Sequence, residues 1–178
     1  MKKVTLHDKT FELSITSEKI QQAVESVAAN INKDFAESEP VFLVILNGSF
    51  MFAADLLKKI ETNCVISFVK LASYSGTQST HEVRELIGID ASIKGKKIII
   101  VEDIIDSGIT MEYLLNELKK VEPASVHVAT FLLKPDALSR DIAIDYIGIK
   151  IPNDFIVGYG LDYDGLGRNL PDIYKILS

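Results

Sequence analysis

Two stretches with no polar face constrain this chain more than anything else in it. Val41–Leu46 is apolar from end to end, and so are residues 98–101. A strand with one face in water alternates apolar and polar side chains, so an unbroken apolar strand has to be covered on both sides. The stretches around them have helical spacing. After Ser17, whose hydroxyl suits a helix N-cap, come Ile20, Val24, Val27, Ile31 and Phe35 on one helical face. Asn47-Gly48-Ser49 breaks the first apolar run, and residues 50–60 then read as a helix. Met111, Leu114, Leu115, Leu118 and Val121 mark another. Further strands are expected at 65–71, 126–133 and 146–151, with a short one at 155–159. Buried strands alternating with amphipathic helices predict an α/β fold, a mostly parallel central sheet flanked by helices. Ligands in such folds bind outside the carboxyl ends of the strands. Polar clusters just after Leu46, Leu71, Val101, Leu133 and Val157 are therefore the candidate sites.

At 178 residues the chain suits one domain spanning 1–178. A net charge of −6 argues against a general nucleic-acid binder, which neutralises phosphates with Lys and Arg. The single cysteine, Cys64, has no partner for an internal disulfide and reads as a reduced, buried thiol. Val4-Thr5-Leu6-His7-Asp8 follows Met1-Lys2-Lys3 where a secretory signal would be apolar, and no run is long enough to span a bilayer. A soluble cytoplasmic protein without membrane partners is expected. Residues 72–80 are rich in hydroxyls and predict a mobile surface loop.

The richest cluster is residues 101–110, Val-Glu-Asp-Ile-Ile-Asp-Ser-Gly-Ile-Thr. Gly108 permits a tight turn and close approach to a ligand. The N–H groups opening the next helix, with the Ser107 and Thr110 hydroxyls, form a phosphate cradle. Glu102 and Asp103 repel a phosphate; they suit sugar hydroxyls, or a Mg²⁺ ion carried with the ligand. An arbitrary Asp-Ser-Gly is usually a helix cap with solvated acids. Three acids, a glycine and two hydroxyls at one strand end favour a binding site. A Walker A loop is a poor match, because no Gly-Lys-Ser/Thr follows a glycine at the required spacing.

This segment resembles the phosphoribosyl-pyrophosphate signature of the type I phosphoribosyltransferases, in the form found in their 6-oxopurine branch. Four more stretches resemble that branch in its order. Leu46, Asn47 and Gly48 match its pyrophosphate loop, which often holds a cis peptide; many relatives have Lys or Arg where Asn47 stands. Ser73 and Tyr74 match the pair on the closing loop that contacts pyrophosphate. Lys134 matches the residue that hydrogen-bonds the purine 6-oxo group. Phe155 matches the aromatic that stacks on the purine, Ile156 the residue whose backbone reads the base edge, Asp162 a Mg²⁺-associated carboxylate, and Arg168 a pyrophosphate-binding arginine. Without the resemblance, Leu46–Gly48 reads nearly as well as an ordinary turn and the Ser73-Tyr74 loop as a plain surface loop, while Lys134 would usually be a solvated strand end and the aromatics near Phe155 more often core. The Gly165-Leu166-Gly167 stretch before Arg168 is richer in glycine than the family pattern.

The resemblance implies the type I phosphoribosyltransferase fold with a small hood from the terminal segments. It implies Mg²⁺-dependent transfer of 5-phosphoribosyl from phosphoribosyl pyrophosphate to N9 of hypoxanthine or guanine, giving IMP or GMP and pyrophosphate in purine salvage. Asp106 is placed like the proton acceptor at purine N7. Glu102 and Asp103 would serve the ribose and, with Asp162, the metal. Asp106, Ser107, Gly108, Ile109 and Thr110 would hold the phosphoribosyl group, Ile109 through its backbone. The alternatives are a xanthine-preferring phosphoribosyltransferase and a non-catalytic sensor of phosphoribosyl pyrophosphate on the same fold. The partners implied are phosphoribosyl pyrophosphate, a 6-oxopurine and further copies of the chain, as a dimer or tetramer.

Overall fold

The unbroken apolar runs form the middle of a sheet. The computed structural model describes residues 2–73, 83–87 and 93–177. Among them β3 (Val41–Leu46) lies between β4 (Val65–Ser73) and β6 (Lys97–Ile105), parallel to both. Beyond β6 come β7 (Ser125–Leu133) and β8 (Tyr146–Lys150), also parallel, while β5 (Val83–Ile87) pairs antiparallel with β4 at the other edge. The sheet order is β5-β4-β3-β6-β7-β8.

Each central strand splits its side chains between two cores. Phe42 and Val44 of β3 and Ile99 and Val101 of β6 pack under α1 (Ser17–Asp34) and α2 (Phe50–Leu57). Val41, Leu43, Ile45, Ile98 and Ile100 pack under α3 (Ile109–Lys120) through Met111, Leu114 and Leu118. That two-sided burial is why neither run tolerates a polar residue.

Several boundaries differ from expectation. Thr16 rather than Ser17 caps α1, accepting from the Lys19 N–H. The second helix stops at Leu57, so Lys58 and Lys59 lie beyond it. β6 continues past Val101 to Ile105, because Glu102 and Ile104 still pair with Thr130 and Leu132 of β7. Glu102 and Asp103 therefore lie inside the strand, not after it. Cys64 is half-buried rather than enclosed, and burial raises its thiol pKa. Residues 74–80 of the expected surface loop, Tyr74 among them, lie outside the described residues.

The terminal segments form a second sheet, in the order β1-β2-β10-β9: β1 (Lys3–Leu6), β2 (Lys9–Ile15), β10 (Ile173–Ile176) and β9 (Ile156–Val157). The stretch expected as a strand at 155–159 contributes only Ile156 and Val157, and to this sheet. Phe11, Val157 and Tyr174 make its core.

Asp172 ties this hood to the start of α1, accepting from Lys2 Nζ (2.7 Å), the Ser17 N–H (2.8 Å) and the Tyr174 hydroxyl (3.2 Å). The Lys2 ammonium holds the Asp172 carboxyl below its ordinary value; burial opposes this, and the Ser17 and Tyr174 donors reinforce it. A lowered carboxyl contributes stability that is present above its unfolded pKa of about 4 and lost as pH falls through the folded one. Urea midpoints of the native chain and Asp172→Asn should thus differ most near neutral pH and converge on acidification below the unfolded carboxyl pKa of about 4. A gap independent of pH would mean that the charge contributes nothing.

Candidate active site

The carboxyl ends of β3 and β6 and the start of α3 enclose a cleft of about 250 Å³. Leu46, Gly48, Glu102, Asp103, Asp106, Ser107, Gly108, Ile109 and Thr110 all line it. Ile45, Leu71, Ile104, Ile105 and Met111 supply its apolar wall.

The turn from β6 to α3 is built on Gly108, which adopts φ +84° as the residue preceding the helix. An added Cβ there would lie 2.9 Å from Leu138 and 3.1 Å from Arg140, so the segment after β7 packs directly on the turn. Ser139 donates to the Ser107 carbonyl from both its N–H and its hydroxyl, each at 3.1 Å. Gly108 has no side chain to cap α3, and Ser107 Oγ only reaches the Ile109 N–H at 3.5 Å, which leaves the other N–H groups of the first turn for a ligand.

Asp106 stands one residue past β6, with Lys134 Nζ donating to its Oδ2 at 3.0 Å. Lys134 is 8% exposed and its own N–H bonds the Ile105 carbonyl, so both backbone and ammonium fasten the end of β7 to the end of β6. An ammonium has three N–H donors; one is spent on Asp106.

The acids of β6 are crowded. Burial, and next the negative charge of Asp103, push the Glu102 carboxyl well above the ordinary carboxylate range. Asp103 presses on the loop after β3: a Cβ on Gly48 would lie 1.6 Å from Asp103 Oδ2. The same loop meets the chain near the C-terminus, where a Cβ on Gly160 would lie 1.9 Å from the Gly48 carbonyl oxygen. The peptide joining Leu46 to Asn47 is cis. Ser49, fully buried, returns its hydroxyl to the Ile45 carbonyl and closes the loop.

Gly160 belongs to a run of left-handed backbone: Gly158 φ +102°, Tyr159 +49°, Gly160 +98°. For a tyrosine this conformation costs roughly 1–2 kcal/mol, so it has to be held. The Tyr159 N–H bonds the Leu170 carbonyl at 2.8 Å, its ring packs on Phe131, and its hydroxyl reaches Asp55 Oδ2 at 2.8 Å. Arg168 donates to the Gly160 carbonyl (2.7 Å) and pairs with Asp162 (2.7 Å), whose other oxygen accepts the Gly165 N–H. The Asp162 carboxylate is thus committed to Arg168 rather than joined to Glu102 and Asp103. Among the described residues no three His, Cys, Asp or Glu side chains gather as a metal site.

Phe155 is a large apolar side chain left 46% exposed, with its ring against Phe11 of β2 and edge-on to Tyr163. Ile156 next to it turns its side chain into the core. Lys134, Phe155, Ile156, Asp162 and Arg168 lie outside the lining of the cleft. Of Ser73 only the backbone, closing β4, is described; Tyr74 is outside the described residues.

Sequence reasoning assigned no role to Asp55, Tyr159, Gly160 or Tyr163. One signal was available for Asp55, the only charged residue in the eight of α2. Nothing local marked its bond with Tyr159, 104 residues away.

A family model described as the phosphoribosyl transferase domain matches residues 14–164. A hypoxanthine-guanine phosphoribosyltransferase of Staphylococcus aureus is 40% identical over 169 residues, 94% of either chain. One of Staphylococcus epidermidis is 41% identical over the same share. A solved hypoxanthine-guanine phosphoribosyltransferase of Bacillus anthracis superposes with a TM-score of 0.88 at 40% identity, covering 93% of this chain and 98% of the other.

Proposed function

Because the chain belongs to the phosphoribosyl transferase family, we propose that it transfers a 5-phosphoribosyl group from phosphoribosyl pyrophosphate to N9 of hypoxanthine or guanine. It is a purine-salvage enzyme by the company it keeps: the relatives are named hypoxanthine-guanine phosphoribosyltransferases at about two-fifths identity along nearly their whole length. The observation that carries the reading to the residues is the cleft of Glu102, Asp103, Asp106 and residues 107–110 at the carboxyl end of the sheet.

The open N–H groups of α3, with Ser107 and Thr110, bind the 5′-phosphate. Glu102 and Asp103 accept from the ribose hydroxyls. The loop Leu46, Asn47 and Gly48, with Arg168, Ser73 and Tyr74, grips pyrophosphate and stabilises the charge that builds on it as it leaves. Lys134 offers a remaining N–H to the purine 6-oxo oxygen, Phe155 stacks on the ring and the Ile156 backbone meets the base edge. Asp106 takes the proton from N7 as N9 attacks the ribose carbon, which makes the base a better nucleophile.

The donor set fits Mg²⁺. Two adjacent carboxylates crowd together in the site, and a cation relieves their repulsion. Glu102 and Asp103 would hold the ion beside the ligand, since Mg²⁺ needs only one or two carboxylates from a protein when phosphates are bound with it. Held there, it would supply positive charge against the pyrophosphate as that group leaves. Asp162 would join them only by exchanging its Arg168 partner.

The reading extends to one domain over 1–178 that assembles as a homo-oligomer. Phe50, Val65, Ile66 and Phe68 leave large apolar side chains at the surface, as an interface requires. No described helix is long and apolar enough to cross a membrane.

Pyrophosphate release with hypoxanthine, guanine, xanthine and adenine in turn tests the reaction. Release with the first two supports it, and silence with every base sinks it. Phe155→Ala should weaken purine binding roughly five- to hundredfold, since stacking on an aromatic contributes about 1–3 kcal/mol per base. Unchanged affinity for IMP, by calorimetry, would make Phe155 a hood residue and nothing more.

A further inference from the structure

Asp55, half-buried in α2, gathers three donors although the reaction described above makes no use of it. Lys58 Nζ bonds its Oδ1 at 2.8 Å, and Gln21 Nε2 and the Tyr159 hydroxyl share Oδ2, each at 2.8 Å. These partners come from α1, from the residue just past α2 and from the turn at 158–160. Two of the connected elements flank the pyrophosphate loop: α2 leaves directly from it after Ser49, and Gly160 lies against the Gly48 carbonyl. Arg168 is placed through that same glycine, with the Gly160 N–H bonding its carbonyl at 2.9 Å and its guanidinium bonding the Gly160 carbonyl at 2.7 Å. The Tyr159 ring packs on Phe131 with centroids 5.0 Å apart, and its hydroxyl donates to Asp55, so ring and hydroxyl together anchor the turn at 158–160.

We propose that Asp55 is a positioning residue for pyrophosphate recognition: through the Tyr159 hydroxyl it holds residues 158–160, and with them Arg168, in place against the loop at Gly48. The inference rests on the reading of that loop and Arg168 as the pyrophosphate grip. Both sides of the grip then move as one body with α2, which keeps the N–H groups of the loop and the guanidinium at a fixed separation when the ligand arrives.

The test uses the full chain with Tyr159→Phe, Asp55→Asn and, as a control, Gln21→Ala, which removes a different donor from the same carboxylate. Tyr159→Phe keeps the ring and deletes only the hydroxyl. Losing one hydrogen bond to a carboxylate should raise KM for phosphoribosyl pyrophosphate and the Kd for magnesium pyrophosphate by roughly tenfold. KM for hypoxanthine and kcat should stay near native values. The double variant should be no worse than Asp55→Asn alone, because both act through one bond. Gln21→Ala should leave the pyrophosphate parameters unchanged. The proposal fails if Tyr159→Phe binds pyrophosphate like the native chain, or if all three variants lose every parameter in step with Tm. Failure of the enzymatic reading is distinct: the native chain itself would neither turn over nor bind magnesium pyrophosphate.

Discussion

Asp106→Asn is expected to lower kcat by roughly 10²–10⁴-fold, the usual contribution of a positioned proton acceptor, with little change in KM for phosphoribosyl pyrophosphate. Asparagine has nearly the same shape and keeps an oxygen for the Lys134 ammonium that now donates to Asp106 Oδ2 at 3.0 Å. It does not accept the N7 proton. The pair allows a competing account, in which Asp106 matters only because it holds Lys134 in place. That account moves the loss elsewhere: a misplaced Lys134 weakens the contact with the purine oxygen and raises KM for the base. Steady-state pyrophosphate release with both substrates varied separates the two. Near-normal kcat in the asparagine variant would remove the proton-acceptor role, and a loss confined to the KM for hypoxanthine would transfer it to Lys134.

Gly160→Ala is expected to damage both stability and pyrophosphate binding, because its methyl meets backbone rather than a side chain that can turn away. Its Cβ would stand 1.9 Å from the Gly48 carbonyl oxygen, at φ +98°. The backbone conformation alone costs roughly 1–2 kcal/mol for an alanine. Forcing Gly48 aside adds about 1–3 kcal/mol, because the loop is backed by Asp103 and has nowhere to go. For a chain of this size the sum lowers Tm by about 5–15 °C. Moving Gly48 also shifts the pyrophosphate loop, so KM for phosphoribosyl pyrophosphate should rise more than tenfold in the protein that remains folded. Gly165→Ala supplies the internal comparison: it has φ +84° but nothing within 4 Å of its Cβ, so it pays the conformational term without the clash. Equal melting temperatures for the two variants would show that contact between Gly160 and Gly48 is unimportant.

Much of this architecture was legible along the chain. Val41–Leu46 and residues 98–101 announced central strands, and the spacing of Met111, Leu114 and Leu118 announced the helix that covers one face. The terminal hood was expected only through family resemblance, since its strands are short; Phe11, Val157 and Tyr174 form a core from three separate parts of the chain. The inclusion of Glu102 and Asp103 in β6 was missed for a related reason. Polar residues end a strand only where pairing ends, and β7 keeps pairing through Glu102 to Ile105.

What the sequence determined by itself is which side chains have to be buried and where the backbone turns, because helix and strand periodicity and the φ freedom of glycine are local properties. Local chemistry also placed acids, a hydroxyl and Gly108 together at one strand end, where a phosphorylated sugar fits. Tertiary structure alone decided which charge meets which: Lys134 on Asp106, Arg168 on Asp162, Tyr159 on Asp55, and the Gly48 loop clasped between Asp103 and Gly160. Those pairings depend on strand register and on backbones approaching more closely than any Cβ would allow, and no periodicity in one dimension encodes such distances.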